Sequence, residues 1–126
     1  MPPSGTILIV DDDSLLRAVY KRRFSKTPFN VMIAEDAENA AAMIRSFPPD
    51  LLICDILMPG KDGWWLLGQF PKTQRSFPVI VLTNLDDEDT KQRCEDLEVD
   101  DYVVKKNMSL SKLTEKATSL LEKHAD

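Results

Sequence analysis

Apolar residues fall along the chain in short, unalternated runs, separated by longer stretches in which they recur at helical spacing. The first run, Thr6 to Val10, is β-branched or apolar throughout, the pattern of a strand covered on both faces. After the acidic cluster Asp11, Asp12, Asp13, the positions Leu15, Leu16, Val19, Tyr20 and Phe24 predict an amphipathic helix. Arg17, Lys21, Arg22 and Arg23 give it a basic outer side. Val31 to Ala34 reads as a second strand. Ala37, Ala40, Ala41, Ile44 and Phe47 form one face of a helix that stops at Pro48 and Pro49. Leu51 to Cys54 is a third buried strand, followed by Asp55 and a loop, Met58 to Gly63, rich in Pro and Gly. Trp64 to Phe70 is a short helix, Pro78 to Thr83 a fourth strand, Asp87 to Leu97 a charged helix and Tyr102 to Lys105 a fifth strand. Ser109 to His124 is the last helix, with Leu110, Leu113, Ala117, Leu120 and Leu121 as its core-facing stripe.

Short apolar strands alternating with helices imply an α/β fold, with a parallel five-stranded sheet between two helical layers. Right-handed crossovers leave few topologies, and a flavodoxin-like (βα)5 order of 2-1-3-4-5 is expected. In that order ligands sit beyond the carboxyl ends of the strands, at the switch between strands one and three. At 126 residues the chain suits one domain. Residues 6–124 are expected to form it, behind a poorly ordered lead, Met1 to Gly5.

Composition narrows the class further. Sixteen basic against 21 acidic residues give a formal charge of −5, which argues against direct contact with nucleic acid or an anionic membrane. Apolar stretches are too short for a spanning helix or a signal-peptide core, so a cytoplasmic protein is expected. Cys54 and Cys94 lack the spacing of a disulfide scaffold or zinc site and read as free thiols.

Polar residues end the apolar runs: Asp11 and Asp12 the first, Asp55 the third, Thr83 the fourth and Lys105 the fifth. With strands one and three adjacent, three carboxylates converge, an arrangement that a hard, oxygen-liganded cation such as magnesium relieves. A hydroxyl and an ammonium opposite a carboxylate suit phosphoryl transfer, with Asp55 as the nucleophile.

The strings ILIVDDDSLLR (7–17), LLICDILMPGKDG (51–63), VIVLT (79–83) and DDYVVKK (100–106) resemble the receiver domain of bacterial two-component response regulators, over nearly the whole chain. The resemblance implies that Asp55 accepts a phosphoryl group from a phosphohistidine on a sensor histidine kinase or histidine phosphotransfer protein. It implies Mg2+ held by Asp12, Asp55 and the Leu57 backbone carbonyl, with Asp11 acting through water. Thr83 and Lys105 would grip the phosphoryl oxygens, and their movement would be relayed to Tyr102, at the aromatic switch position. Such a domain is a signalling switch that catalyses its own phosphorylation and slow dephosphorylation, and it acts through a downstream protein. Homodimerisation on activation is a further possibility of the family. No output segment follows residue 126, so a stand-alone or excised receiver is expected.

Departures from the family pattern are specific. Lys106 replaces the usual proline after Lys105, so a trans bond and a differently shaped loop are expected. Glu98-Val99-Asp100 replaces the usual glycine before the fifth strand, which argues against a positive φ there. Asn84 stands where relatives carry a small residue, and either narrows access or hydrogen-bonds the phosphoryl group. Leu57 and Leu85, at positions that tune self-hydrolysis, cannot orient a water, so a long-lived phosphoryl group is expected.

Other readings compete with these. Asp11 to Asp13 also suit a helix N-cap, which is the better reading of Asp13. Thr83 and Lys105 also suit a strand end and an edge charge, and Tyr102 a half-buried aromatic. Trp64 and Trp65 lie about 100° apart on their helix, so one is expected to be exposed. Trp65 is the candidate partner anchor, or else a scattered surface aromatic. Arg17 and Lys21 are either a solvated face or a surface that steers a partner. A small phosphohydrolase is one alternative function, because Asp11-x-Asp13-Ser14 resembles the nucleophile motif of the haloacid dehalogenase type. A phosphorylation-independent adaptor is another.

Overall fold

The computed structural model describes residues 5–124. Met1 to Ser4 of the expected lead lie outside them. Gly5 is tied down, its carbonyl accepting from the Asn30 N–H at 2.9 Å. The strands are β1 (Thr6–Val10), β2 (Asn30–Ala34), β3 (Leu51–Cys54), β4 (Val79–Thr83) and β5 (Asp101–Val104). The helices are α1 (Ser14–Phe24), α2 (Ala37–Ser46), α3 (Gly63–Gln69), α4 (Glu88–Asp96) and α5 (Leu110–Lys123), and a 3-10 turn spans Lys105–Asn107. All strand pairs are parallel, in the order β2-β1-β3-β4-β5, so the flavodoxin-like arrangement is the observed one.

Each helix starts on a side-chain cap. Asp13, Asp36, Asp62 and Asp87 accept from the N–H groups of Leu15 and Leu16, Asn39, Trp65 and Thr90, and Ser109 accepts from Lys112. These caps satisfy donors that the first helical turn leaves orphaned, and they hold the helix starts at the strand-end side of the sheet.

Alternation along the strands divides the core in two. Leu8, Val10, Leu52, Cys54 and Val81 face Ala40, Ile44, Leu66 and Cys94 of α2, α3 and α4. Ile7, Ile9, Ile53, Ile80 and Val103 face Tyr20, Phe24, Leu113 and Ala117 of α1 and α5. Each strand in the middle of the sheet is therefore apolar on both faces, which is why its sequence does not alternate.

Several expectations are corrected. Leu15 is 72% exposed, because the buried stripe of α1 is centred on Leu16, Tyr20 and Phe24 at i, i+4 and i+8. Phe47 is 75% exposed and lies just past α2. Pro48 restricts it to extended backbone (φ −144°, ψ 94°), which takes its ring off the helical face. Lys105 opens the 3-10 turn instead of ending β5. Glu98 does adopt a positive φ, +56°. Its carbonyl accepts from Arg75 Nη2 at 2.9 Å, and Arg75 Nη1 reaches the Phe70 carbonyl at 3.1 Å, so an arginine clasp fixes a turn that glycine would adopt freely. No cis peptide occurs among the described residues.

Candidate functional site

The carboxyl ends of β1 and β3 lie side by side, with Val10 paired to Cys54, so the next residues, Asp11 and Asp55, are brought together. Asp55 N–H donates to the Val10 carbonyl at 3.0 Å and Asp11 N–H to the Ala34 carbonyl at 3.2 Å, which extends the ladder into the site. Asp11 and Asp55 are buried and Asp12 is exposed. One carboxylate oxygen from each lies within 4.8 Å of the others.

Lys105 arrives from the far side. Its Nζ donates to Asp11 Oδ2 at 2.7 Å and to Asp55 Oδ2 at 2.8 Å. Burial disfavours its charge, but the two carboxylates outweigh that and hold the ammonium well above its ordinary pKa. Asp55 is raised from the ordinary carboxylate value, chiefly by burial, with Lys105 giving only partial relief. Its other oxygen, Oδ1, accepts from the Ile56 N–H at 2.7 Å. One ammonium against three carboxylates leaves an all-oxygen donor set short of positive charge. That is the composition a hard divalent cation fits.

The remaining candidate residues surround this centre. Thr83 is fully buried at the end of β4, and its Oγ1 accepts from Leu85 N–H at 3.4 Å. Asn84 is exposed, and its Oδ1 accepts from the backbone N–H of Lys106 at 3.0 Å. Leu57 is 58% exposed and Leu85 half-buried. Tyr102 is half-buried, its hydroxyl donating to the Leu85 carbonyl, so β5 is tied to the loop after Thr83. Lys21 is exposed, whereas Arg17 turns inward to donate to the Asp11 carbonyl at 2.9 Å.

Neither tryptophan stands free. Both are half-buried against the core of α2, α3 and α4. Arg93 lies 4.5 Å over the Trp64 ring and Lys61 5.4 Å over that of Trp65. The expectation of one exposed tryptophan is thus corrected: neighbouring cations cover both.

Tyr20 belongs to the site as well as to the core, and sequence reading took it only as core. Its hydroxyl lies 3.5 Å from Asp11 Oδ2, and burial followed by the Asp11 charge pushes its pKa up to about 12. A phenol on the sheet-facing stripe, two turns past the strand-end carboxylates, was the available signal. Beside it a cavity of about 270 Å³ opens between α1 and α5, lined by Leu16, Val19, Leu82 and Met108 among others.

This fold and this acidic centre define a receiver. The chain matches the family model of the response regulator receiver domain over residues 7–118 and belongs to that family. It is 34% identical over 120 residues to the response regulator MprA of Mycobacterium tuberculosis, which covers 95% of this chain and 52% of that protein. It is 32% identical over 99 residues to the ycf27 transcriptional regulator of Porphyridium aerugineum, covering 79% of this chain and 41% of that one. The chain thus spans about half the length of these relatives or less. Among solved structures it resembles a CheY-like receiver domain from Methanospirillum hungatei, at a TM-score of 0.88 and 26% identity, covering 95% of both chains. The receiver domain of Francisella response regulator 1452 aligns at 0.86 and 28% identity, over 97% of this chain and 99% of that one. Among the described residues no helix is long and apolar enough to cross a membrane.

Proposed function

We propose that Asp55 is the phosphoacceptor of a two-component phosphorelay. The observation that carries this reading is the Lys105 ammonium shared between Asp55 Oδ2 and Asp11 Oδ2 inside an acidic trio. Asp55 attacks the phosphorus of a phosphohistidine on a sensor kinase or phosphotransfer protein. The new bond joins an Asp55 carboxylate oxygen to phosphorus, the P–N bond breaks, and the imidazole leaves with the electron pair and takes up a proton. Lys105 and the Thr83 hydroxyl hold the transferred oxygens, which is the positioning and charge neutralisation such a transfer needs.

Asp11, Asp12 and Asp55, with the Leu57 carbonyl, would hold Mg2+. The ion supplies positive charge for the phosphoryl oxygens. Movement of Thr83 toward the phosphoryl group pulls on the loop that Tyr102 grips through Leu85, and so changes the α4–β5–α5 surface offered to a downstream protein or a second copy. Exposed Lys21 and the cavity beside Tyr20 form the approach for the phosphodonor, with half-buried Arg17 at its edge, and Trp65, half-buried on α3 on the other face of the sheet, is a separate partner contact. With both cysteines unpaired, the reducing cytoplasm is the compartment this reading assigns.

Intact mass after incubation with phosphoramidate tests the reading, comparing wild type, Asp55→Asn and Asp11→Asn with and without magnesium. One phosphoryl group that requires magnesium and is lost in Asp55→Asn is expected. An adduct that survives in Asp55→Asn and is lost in Asp11→Asn makes the chain a phosphohydrolase with Asp11 as nucleophile. No adduct on any variant leaves a phosphorylation-independent adaptor.

A further inference from the structure

The last register pair between β4 and β5 is Thr83 with Val104. The residues just beyond it are Asn84 and Lys105, and there the backbone ladder ends. The 3-10 turn that begins at Lys105 has no capping side chain of its own. Its first N–H groups lack partners within the turn, as at any helix start. One of them, that of Lys106, is satisfied by Asn84 Oδ1 at 3.0 Å, across 22 residues. The donor exists only because residue 106 is not proline. A side chain therefore continues the β4–β5 pairing past its last backbone pair, between the residue after Thr83 and the residue after Lys105.

We propose that Asn84 is a positioning residue for phosphoryl transfer: by capping the Lys106 N–H it locks the Lys105 turn to the Thr83 strand end. The inference rests on the reading of Asp55 as phosphoacceptor. Its chemical logic is aim. Lys105 has to keep its ammonium within hydrogen-bonding reach of both Asp11 and Asp55, and a turn free to pivot at Val104 spreads that ammonium over more positions. Asn84 acts through Lys105 and needs no contact with the phosphoryl group. This differs in sign from a gating role, in which trimming Asn84 would open the site and speed the reaction.

Three proteins test it: wild type, Asn84→Ala and Asn84→Asp, the last retaining an acceptor oxygen at the same reach. Amide hydrogen exchange at Lys106 reports the bond directly, and labelling by phosphoramidate at saturating magnesium reports its consequence. Loss of one hydrogen bond of this kind corresponds to about a threefold to tenfold effect. Asn84→Ala is expected to lose Lys106 protection and to label that much more slowly at saturating donor, with its thermal midpoint little changed. Asn84→Asp is expected to recover both. Unchanged or faster labelling of Asn84→Ala overturns the inference, as does an Asn84→Asp variant that restores protection without restoring rate. If wild type itself takes no phosphoryl group on Asp55, the phosphoacceptor reading fails first and this inference with it.

Discussion

The two glycines of α3 lie in one short helix, yet alanine at each is expected to move stability in opposite directions. A Cβ at position 63 meets the Asp55 carbonyl oxygen at 2.3 Å, Ile56 Cα at 2.7 Å and Ile56 Cδ1 at 2.8 Å. The first two are backbone atoms of the segment that carries the Asp55 carboxylate. Side-chain rotation cannot relieve such a clash, so the connection between β3 and α3 has to move, at a cost of about 3 kcal/mol. At position 68 nothing lies within 4 Å of the added atom. Alanine there gains about 0.5 kcal/mol of helix propensity near the helix end. With an unfolding entropy of about 2.1 cal/mol/K per residue, a domain of this size shifts its midpoint by about 4 °C per kcal/mol. Gly63→Ala should therefore melt about 12 °C below wild type, and Gly68→Ala about 2 °C above it. Thermal unfolding by far-ultraviolet circular dichroism in EDTA measures both, and phosphoramidate labelling should fall in Gly63→Ala alone. A Gly63→Ala midpoint within 3 °C of wild type would refute the reasoning, because the Asp55 backbone would then yield without cost.

Lys105→Met leaves the buried Asp11 and Asp55 carboxylates without their ammonium, at a cost of about 3 kcal/mol in the ion-free protein. Magnesium should restore most of it, so the rise in midpoint between EDTA and magnesium should exceed that of wild type; equal rises contradict the charge argument. Asp87 is held below its ordinary 3.8 by the Thr90 N–H and hydroxyl. A depressed folded pKa means that its capping contribution to α4 is complete above 3.8 and is lost as pH falls through the folded value. Carbon-detected titration of the Asp87 carboxyl should give a midpoint under 3.8, and one at or above it removes the cap from the account. Leu57 presents no hydrogen-bonding side chain to an incoming water, so label on Asp55 should be long-lived. Leu57→Gln should shorten its lifetime about tenfold, measured by retention of radiolabel, and an unchanged lifetime assigns the slow loss to another cause.

The strands were legible because β1, β3 and β4 are covered on both faces and so carry unbroken apolar runs. The polar residues after β1 and β3 then named Asp11, Asp12 and Asp55, and the lysine just past β5 named Lys105, the groups that converge. What escaped the sequence is non-local. Leu15 and Phe47 are as apolar as their neighbours, and only the phase of each helix against the sheet, with the proline after Phe47, decides that they face water. The positive φ of Glu98 depends on Arg75, 23 residues away. Trp64 and Trp65 are covered by cations, one of them from α4, and no spacing within α3 announces that. Tyr20 looked like core because it is core; its hydroxyl reaches Asp11 only because α1 packs beside the β1 terminus.

The ammonium that offsets part of the acidic trio's charge is 94 residues from Asp11 and 50 from Asp55 along the chain. A nascent chain emerges N-terminus first, so the carboxylates of β1 and β3 are complete long before their counter-charge exists. Docking those two strands brings like charges together, on top of the entropy of closing a long loop. Until β5 arrives, that repulsion has to be met by a proton on Asp55 or by an ion from the surrounding solution. Assembly of this domain is therefore coupled to its ionic environment before any signal is received, and refolding should be faster in magnesium than in EDTA.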